Sequence, residues 1–178
     1  NGGKVIKTNK RHFNGTSRAA EAAKNIKSKY IIILQADEPL IDPNEIELFV
    51  KFINKSSGSF FNCIGKIKKS EKDDLSVVKS IIKNGEIISN FRSIENKNIL
   101  EKTQIYKLFG LIGFNRKALM NLNNKPRTDN EKKYKIEQMK IIDHKLILKS
   151  FLIKGTLTSV NYKKDMIKVK QELKKNKL

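Results

Sequence analysis

Cysteines and long apolar runs are scarce in this sequence, and their scarcity excludes several classes of protein. The chain of 178 residues contains one cysteine, Cys63, which excludes an internal disulfide framework and a zinc site built from several cysteines. Its apolar neighbours predict a small, buried core residue rather than a reactive nucleophile. No apolar run approaches the ~20 residues that a membrane-spanning helix needs, and no secretory signal pattern is visible. We therefore predict a reduced, cytoplasmic setting and no membrane partner.

Acidic residues are also in short supply. The sequence has 38 lysine and arginine residues against 18 aspartate and glutamate residues, for a formal net charge of +20. Such a charge is typical of proteins that bind nucleic-acid backbones. Lysine far outnumbers arginine, however, and aromatic residues make up only 7% of the chain, whereas readers of nucleic acids rely on arginine and on stacking rings. We interpret the charge as compositional bias and predict no dedicated nucleic-acid partner; a basic nucleic-acid-binding domain is the less favoured alternative.

Strand and helix patterns alternate along the chain, which is typical of an α/β fold with a mostly parallel sheet flanked by helices. The predicted strands are 4–8, 30–35, 60–67, 76–83, 86–91, 106–114, 146–153 and 158–160. The predicted helices are 17–27, 43–54, 116–122, 131–143 and 163–173. No repeat or long linker divides the chain, so residues 1–178 are predicted to form a single domain. Because the chain lacks an initiating Met and starts inside an apparent element, we expect it to be the C-terminal portion of a longer chain.

Two local signals are especially clear. Asp42 is placed as the N-cap of a helix, with Pro43 at its first position and Glu45 in place for a capping box. Asn84-Gly85 separates two strand-like runs and predicts a β-hairpin with a type I′ turn.

The run at residues 31–41, Ile-Ile-Ile-Leu-Gln-Ala-Asp-Glu-Pro-Leu-Ile, predicts a buried strand that ends in two carboxylates. Pro39 prevents a smooth continuation of the strand. Ligands of open α/β sheets bind beyond the carboxyl ends of strands, so Asp37 is well placed to hold a divalent metal ion over a phosphate. We expect Glu38 to brace the loop rather than to bind metal.

A second cluster lies at residues 9–21, where a loop containing Gly15 precedes a helix. Backbone N–H groups in such a loop can bind an anion. Arg18, one turn into the helix, could reach the same ligand. Taken alone, this pattern favours ordinary turn chemistry as strongly as a binding site.

Several strings, taken in order, carry a resemblance to a known family. They include His-Phe-Asn-Gly-Thr-Ser-Arg-Ala-Ala-Glu at 12–21 and Leu-Gln-Ala-Asp-Glu-Pro-Leu-Ile at 34–41, preceded by Gly-Gly-Lys-Val-Ile-Lys-Thr at 2–8. They resemble the 3-deoxy-manno-octulosonate cytidylyltransferase (CMP-Kdo synthetase) family, with its His-x-Ser-Gly-Thr-Asp-Arg segment and Gln-Gly-Asp-Glu-Pro strand end at matching separation. Further similarity follows at 77–79, Arg92, 109–116, 137–140 and 159–165, so the resemblance covers nearly the whole chain.

The resemblance implies a fold and an activity. The fold would be a mostly parallel nucleotidyltransferase (Rossmann-like) sheet flanked by helices, with a β-hairpin insertion, in a single cytidylyltransferase domain. The family's first strand and nucleotide loop have no counterpart here, so we expect both to be missing. The activity would be transfer of CMP from CTP to the acidic sugar Kdo with release of pyrophosphate, for lipopolysaccharide precursor synthesis. The implied cofactor is Mg²⁺, and a homodimer is possible.

The resemblance also implies roles for residues. The catalytic residues would be Asp37 and Gln35, and the metal ligands Asp37 and Asn161. The substrate-binding residues would be Gly15, Thr16, Arg18, Arg92 and Gln138. Of these, Arg92 and Gln138 would contact the sugar acid, and an arginine is suited to its carboxylate. His12 and His144 have no metal-ligand spacing and are interpreted as structural.

Four positions depart from the family pattern, namely Ser17 for Asp, Ala36 for Gly, Leu108 for His, and Asn161 for the closing Asp. Asn161 can still offer an oxygen to Mg²⁺, but it removes one negative charge from the site. The alternatives are therefore a cytidylyltransferase for a related ulosonic or amino-octulosonic acid, or a catalytically weakened homologue.

Overall fold

The computed structural model describes residues 2–8, 11–93, 103–155 and 159–175. Within these ranges the strands are β1 (Tyr30–Leu34), β2 (Phe60–Lys66), β3 (Lys79–Lys83), β4 (Glu86–Phe91), β5 (Ile105–Asn115) and β6 (Leu148–Leu152). The helices are α1 (Gly15–Ala22), α2 (Pro43–Lys55), α3 (Arg116–Asn124), α4 (Asp129–Tyr134), α5 (Met139–Asp143) and α6 (Lys163–Lys175). Among the described residues, no helix is both long and apolar enough to cross a membrane.

The six strands form one sheet in the order β1-β5-β2-β6-β4-β3, and β3 also pairs with β5. β1 and β2 both lie antiparallel to β5, and β6 lies parallel to β2. β1, β2 and β6 therefore run in one direction, as predicted. The sheet is nevertheless mixed rather than mostly parallel, because β5, eleven residues long, lies between β1 and β2 and runs against both. Apolar periodicity reports that a strand is buried but not which way it runs.

The core lies on both faces of the sheet. On one face, α2 packs Phe49 and Ile53 against a cluster that includes Phe61 and Leu111. On the other face, Ala20 of α1, Leu119 of α3 and Ile141 of α5 cover a second cluster. The first six residues of β2 are all buried, as expected of a strand with helices on both faces.

Cys63, on β2, is completely buried, as predicted. Burial raises the pKa of its thiol far above the ordinary value, so the side chain stays neutral at physiological pH. It therefore behaves as a small core residue rather than as a nucleophile.

The local sequence signals explain the start of α2 and the β3–β4 hairpin. Asp42 caps α2 by accepting a hydrogen bond from the Asn44 N–H (2.9 Å), with Pro43 at the first position. Glu45 does not complete a capping box; its carboxylate accepts from the Lys154 N–H (3.1 Å) instead. Asn84 and Gly85 have φ of 52° and 77°, which confirms the type I′ turn.

Two predicted elements are wrong, and a third prediction lies partly outside the described residues. Residues 2–8 form neither helix nor strand, and Val5 is 94% exposed; the described sheet offers this segment no pairing partner, and a strand needs one. The helix predicted at 131–143 is two short helices, α4 and α5, because Lys135 adopts a left-handed conformation with φ of 53°. The strand predicted at 158–160 lies partly outside the described residues, and 159–160 are irregular.

Candidate active site

A cavity of about 600 Å³ opens where β1 ends, beside β5 and the connection between α4 and α5. Six of the predicted site residues line it: Gly15, Gln35, Asp37, Arg92, Gln138 and Asn161. They come from five separate segments of the chain, with only Gln35 and Asp37 in the same one, so the tertiary structure brings them together.

Gln35 follows β1 directly and lies flat against β5. Its backbone N–H donates to the Gly110 carbonyl (2.8 Å). Its side chain lies so close to Gly110 that a Cβ at that position would stand 2.8 Å from the Gln35 Cβ and Oε1. The Gln35 Nε2 donates to Glu137 Oε1 (3.0 Å). Gly110 and Glu137 thus fix the orientation of the Gln35 amide.

Glu137 links two sides of the cavity. While Oε1 accepts from Gln35, its Oε2 accepts from the backbone N–H of Thr16 in the first turn of α1 (2.9 Å). A carboxylate at the N-terminus of a helix is favoured by the helix dipole. Sequence reasoning singled out Gln138 and passed over Glu137, although both stand in the string at 137–140 that resembles the family.

Asp37 reaches the cavity with an uncompensated carboxylate oxygen. Its Oδ1 is buried and has no hydrogen-bond partner among the described residues. The Asp37 carbonyl accepts from the Val160 N–H (2.8 Å), which brings Asn161 to the rim of the same cavity. A buried oxygen without a partner is costly, and a carboxylate beside an amide suits Mg²⁺, which takes one or two protein oxygens and fills its other positions with water and phosphate. The residues present therefore fit such an ion.

The described residues contain no group of three or more His, Cys, Asp or Glu side chains arranged to hold a metal ion.

Glu38 braces the loop, as predicted. It is 5% exposed; its Oε1 accepts from the Gly110 N–H (3.1 Å), and the Ser159 hydroxyl donates to its carboxylate (2.9 Å). Burial raises the pKa of Glu38, against the opposing effect of these hydrogen bonds. Glu38 thus ties the loop after β1 to β5 and to the segment that carries Asn161.

Gln138 is buried and held by β2. Its Nε2 donates to Asn62 Oδ1 (3.0 Å), and Asn62 in turn donates to the Phe109 carbonyl (2.8 Å). The left-handed turn at Lys135 places Gln138 at this wall of the cavity.

Arg92 lines the cavity but is already engaged by the protein. Its guanidinium donates to four carbonyls, those of Leu75, Ser76, Tyr134 and Lys135, at 2.9–3.2 Å. Burial lowers its pKa. Arg92, which was predicted to contact the sugar acid, therefore connects residues 75–76 on one wall of the cavity with residues 134–135 on another.

Thr16 and Arg18 are the predicted site residues that the structure places outside this cavity. Thr16 lines a neighbouring groove of about 700 Å³. Arg18 is exposed, and its Nη1 donates to the Thr8 hydroxyl. The histidines have structural contacts: His12 pairs with Glu21 (2.8 Å), and His144 Nε2 lies 3.1 Å from the Pro126 carbonyl.

A comparison with known protein families decides the family of the chain. A sequence profile for the family described as cytidylyltransferase matches residues 1–151. The chain belongs to the cytidylyltransferase family. Nucleotidyltransferases of this kind generally use a divalent metal ion.

Individual relatives support the same family, and one solved structure has the same fold. This cytidylyltransferase is 29% identical over 185 residues to a 3-deoxy-manno-octulosonate cytidylyltransferase of Rickettsia bellii, covering 99% of the chain and 73% of the relative. It is 26% identical over 182 residues to the one of Escherichia coli, covering 98% and 74%. The structure of CMP:2-keto-3-deoxy-manno-octonic acid synthetase complexed with CTP superposes with a TM-score of 0.87 at 23% identity, covering 98% of this chain and 74% of that one. The predicted α/β nucleotidyltransferase class is thereby confirmed.

Four cations of the cytidylyltransferase cavity were missed by sequence reasoning: Lys107, Arg127, Lys132 and Lys135. Lys107 is 4% exposed and pairs with Glu71 (2.9 Å). Arg127 pairs with the buried Glu131 (2.9 Å) and stacks over Phe13 at 4.8 Å. In a chain with 38 basic residues, composition gives no signal that separates these cations from those on the surface.

Proposed function

We propose that this cytidylyltransferase transfers CMP from CTP to 3-deoxy-manno-octulosonate (Kdo) and releases pyrophosphate, a step that supplies a lipopolysaccharide precursor. Family membership supports the transfer of a cytidylyl group. Relatives named as Kdo cytidylyltransferases support an acidic eight-carbon sugar as the acceptor. The structural observation that carries the proposal is the buried Oδ1 of Asp37 at the mouth of the cavity, which has no hydrogen-bond partner among the described residues.

Asp37 and Asn161 are proposed to hold Mg²⁺. When bound there, the ion would neutralise charge on the phosphates of CTP and on the leaving pyrophosphate. Asp37 offers a full negative charge, whereas Asn161 offers only the oxygen of an amide. Glu38 keeps the two ligands together, because it binds Ser159 two residues before Asn161.

Gln35 and Gln138 are proposed to contact the sugar, from two neighbouring walls of the cavity. Both amides are oriented by the protein, Gln35 through Glu137 and Gln138 through Asn62. Such preorganised polar groups lower the entropic cost of positioning the sugar for attack. The residues proposed to contact the nucleotide are Gly15 and Thr16, at the start of α1, and Arg18.

The reaction is an in-line displacement at phosphorus. The anomeric hydroxyl oxygen of the sugar forms a bond to the α-phosphorus of CTP. The bond from that phosphorus to the bridging oxygen breaks, and pyrophosphate leaves with the bonding electrons. The hydroxyl proton passes to solvent or to a basic oxygen in the site. The residues of the cavity orient the two anions and exclude water, and such positioning dominates phosphoryl-type transfer.

The test is pyrophosphate release by the full-length protein with CTP, Kdo and Mg²⁺. Asp37→Ala is expected to lower kcat by about 10²- to 10³-fold, the usual cost of losing a charge-stabilising group. Asp42→Ala is the matched control, since it removes a helix cap on the neighbouring segment and leaves the cavity intact. Absence of turnover with Kdo and with related ulosonic acids would overturn the proposal.

A further inference from the structure

Most of the cationic side chains that line the cavity are engaged by the protein itself. Among the described residues, five such side chains line it: Arg92, Lys107, Arg127, Lys132 and Lys135. The guanidinium of Arg92 binds four carbonyls. Lys107 and Arg127 each pair with a glutamate at 2.9 Å. These three cations brace the walls of the cavity and have reduced capacity for an incoming anion.

The two remaining cations differ in their surroundings. Lys132 lies 3.2 Å from Asp129, but its side chain is 53% exposed and that of Asp129 is fully exposed, so solvent screens this pair. Lys135 has neither a hydrogen bond nor an acidic partner for its ammonium among the described residues. Within the described ranges, it is the one cavity-lining cation without a partner.

The backbone of Lys135 holds this charge in place. Its carbonyl accepts from Arg92 Nη2 (3.2 Å), while Arg92 Nη1 donates to the Leu75 and Ser76 carbonyls across the cavity. With a φ of 53°, Lys135 forms the turn between α4 and α5. Residues other than glycine and asparagine are disfavoured in this conformation.

The conformation alone does not imply a function. Lys145 has a similar φ of 56° and is not among the residues that line the cavity. A lysine-rich chain therefore tolerates lysine at such turns. What distinguishes Lys135 is its place in the lining of the cavity, with no partner for its ammonium among the described residues.

We propose that the Lys135 ammonium binds the carboxylate of the acidic sugar, an inference that rests on the proposed function. Arg92, which the resemblance assigned to that carboxylate, is engaged by four carbonyls and positions Lys135 through one of them. Gln138, proposed to contact the sugar, follows three residues later on the same wall. A phosphate of CTP is also an oxyanion that an ammonium group can bind, and the experiment distinguishes it from the sugar carboxylate.

The test uses four variants of the full-length protein. Lys135→Asn keeps a residue that suits the left-handed conformation and removes the charge. Its KM for Kdo is expected to rise about two- to fivefold while kcat and the KM for CTP change little, because a solvent-exposed charged contact of about 0.2–1 kcal/mol is lost. Lys135→Arg should restore most of the affinity. Lys145→Asn is the matched control for the left-handed turn. Lys132→Asn is the control for the loss of one positive charge at the rim of the cavity.

The outcomes are distinct. An unchanged KM for Kdo in a folded Lys135→Asn protein would overturn the inference, as would an equal rise in Lys132→Asn or a rise confined to CTP. Isothermal titration of Kdo into wild type and Lys135→Asn supplies the same answer without turnover. If wild type turns over no sugar, the proposed function fails; if wild type is active and Lys135→Asn is indistinguishable from it in both assays, only this inference fails.

Discussion

Gly110→Ala offers a sharp test of how the site is built. The new methyl carbon would stand 2.8 Å from the Cβ and Oε1 of Gln35 and 3.2 Å from its Cδ. Ordinary carbon contacts begin near 3.5 Å, so the side chain must retreat by roughly 0.7 Å. The backbones cannot separate easily, because the Gln35 N–H is bonded to the Gly110 carbonyl at 2.8 Å. The Gln35 side chain must therefore rotate to clear Cδ and Oε1, and the contact with its Cβ, which rotation cannot relieve, strains the backbone.

Rotation of Gln35 breaks its hydrogen bond to Glu137, which is 3.0 Å long. A hydrogen bond to a charged group contributes about 1.5–3 kcal/mol. If the sugar needs this amide in its fixed orientation, kcat/KM for the sugar falls by about tenfold to a hundredfold. Stability should fall as well, by up to about 2.6 kcal/mol, since overpacking costs about 1–3 kcal/mol while replacing glycine returns about 0.4–1 kcal/mol.

The assay combines steady-state kinetics with thermal unfolding, in the wild-type and Gln35→Gly backgrounds. Gln35→Gly removes the three atoms nearest to the new methyl group, so Gly110→Ala should then cost little further. Gly113→Ala is the control: its Cβ would meet Ile53 at 2.5 Å and Phe49 at 3.2 Å, which lowers stability without touching the site. The reasoning is refuted if folded Gly110→Ala keeps wild-type kcat/KM, or if the loss is the same without Gln35.

Two further predictions concern Asn161 and Glu38, besides those for Asp37 and Lys135. Asn161→Asp should lower the Mg²⁺ concentration needed for half-maximal activity, because it adds a second carboxylate beside Asp37; a metal titration of activity checks this, and an unchanged requirement contradicts Asn161 as a ligand. Because burial raises the pKa of Glu38 above its ordinary 4.5, the folded state holds that proton more tightly than the unfolded state. The contribution of Glu38 to stability is therefore complete below pH 4.5 and decreases as the pH rises through the raised value. Urea unfolding from pH 4 to 7 should show this decrease in wild type and a flatter profile in Glu38→Gln; identical slopes would contradict it.

Much of the local structure could be predicted because it depends on near neighbours. The Asn84-Gly85 turn and the cap at Asp42 are set by the residues at the turn and at the helix start. The end of β1 was predictable for the same reason, since apolar residues give way to Gln35 and Asp37 within a few positions.

Other features depend on contacts between distant residues. The segment 2–8 has a strand-like sequence but lacks a pairing partner in the described sheet. The helical pattern at 131–143 is broken at Lys135, whose carbonyl is bonded to Arg92 43 residues earlier in the chain. A single-sequence pattern contains no information about such a partner, so it extended the helix through the turn.

The sequence by itself determined the family, the positions of most strands and helices, and the placing of Asp37 at the end of a buried strand. These follow from short-range chemistry and from motifs in a fixed order. The tertiary structure alone decided which groups are free to act. It occupies Arg92 with four carbonyls and fixes Gln35 between Gly110 and Glu137, whereas the Asp37 Oδ1 and the Lys135 ammonium have no partners in the part of the chain that the structure describes. The physical reason is that a polar group's availability depends on every neighbour within hydrogen-bond distance, and those neighbours come from all parts of the chain.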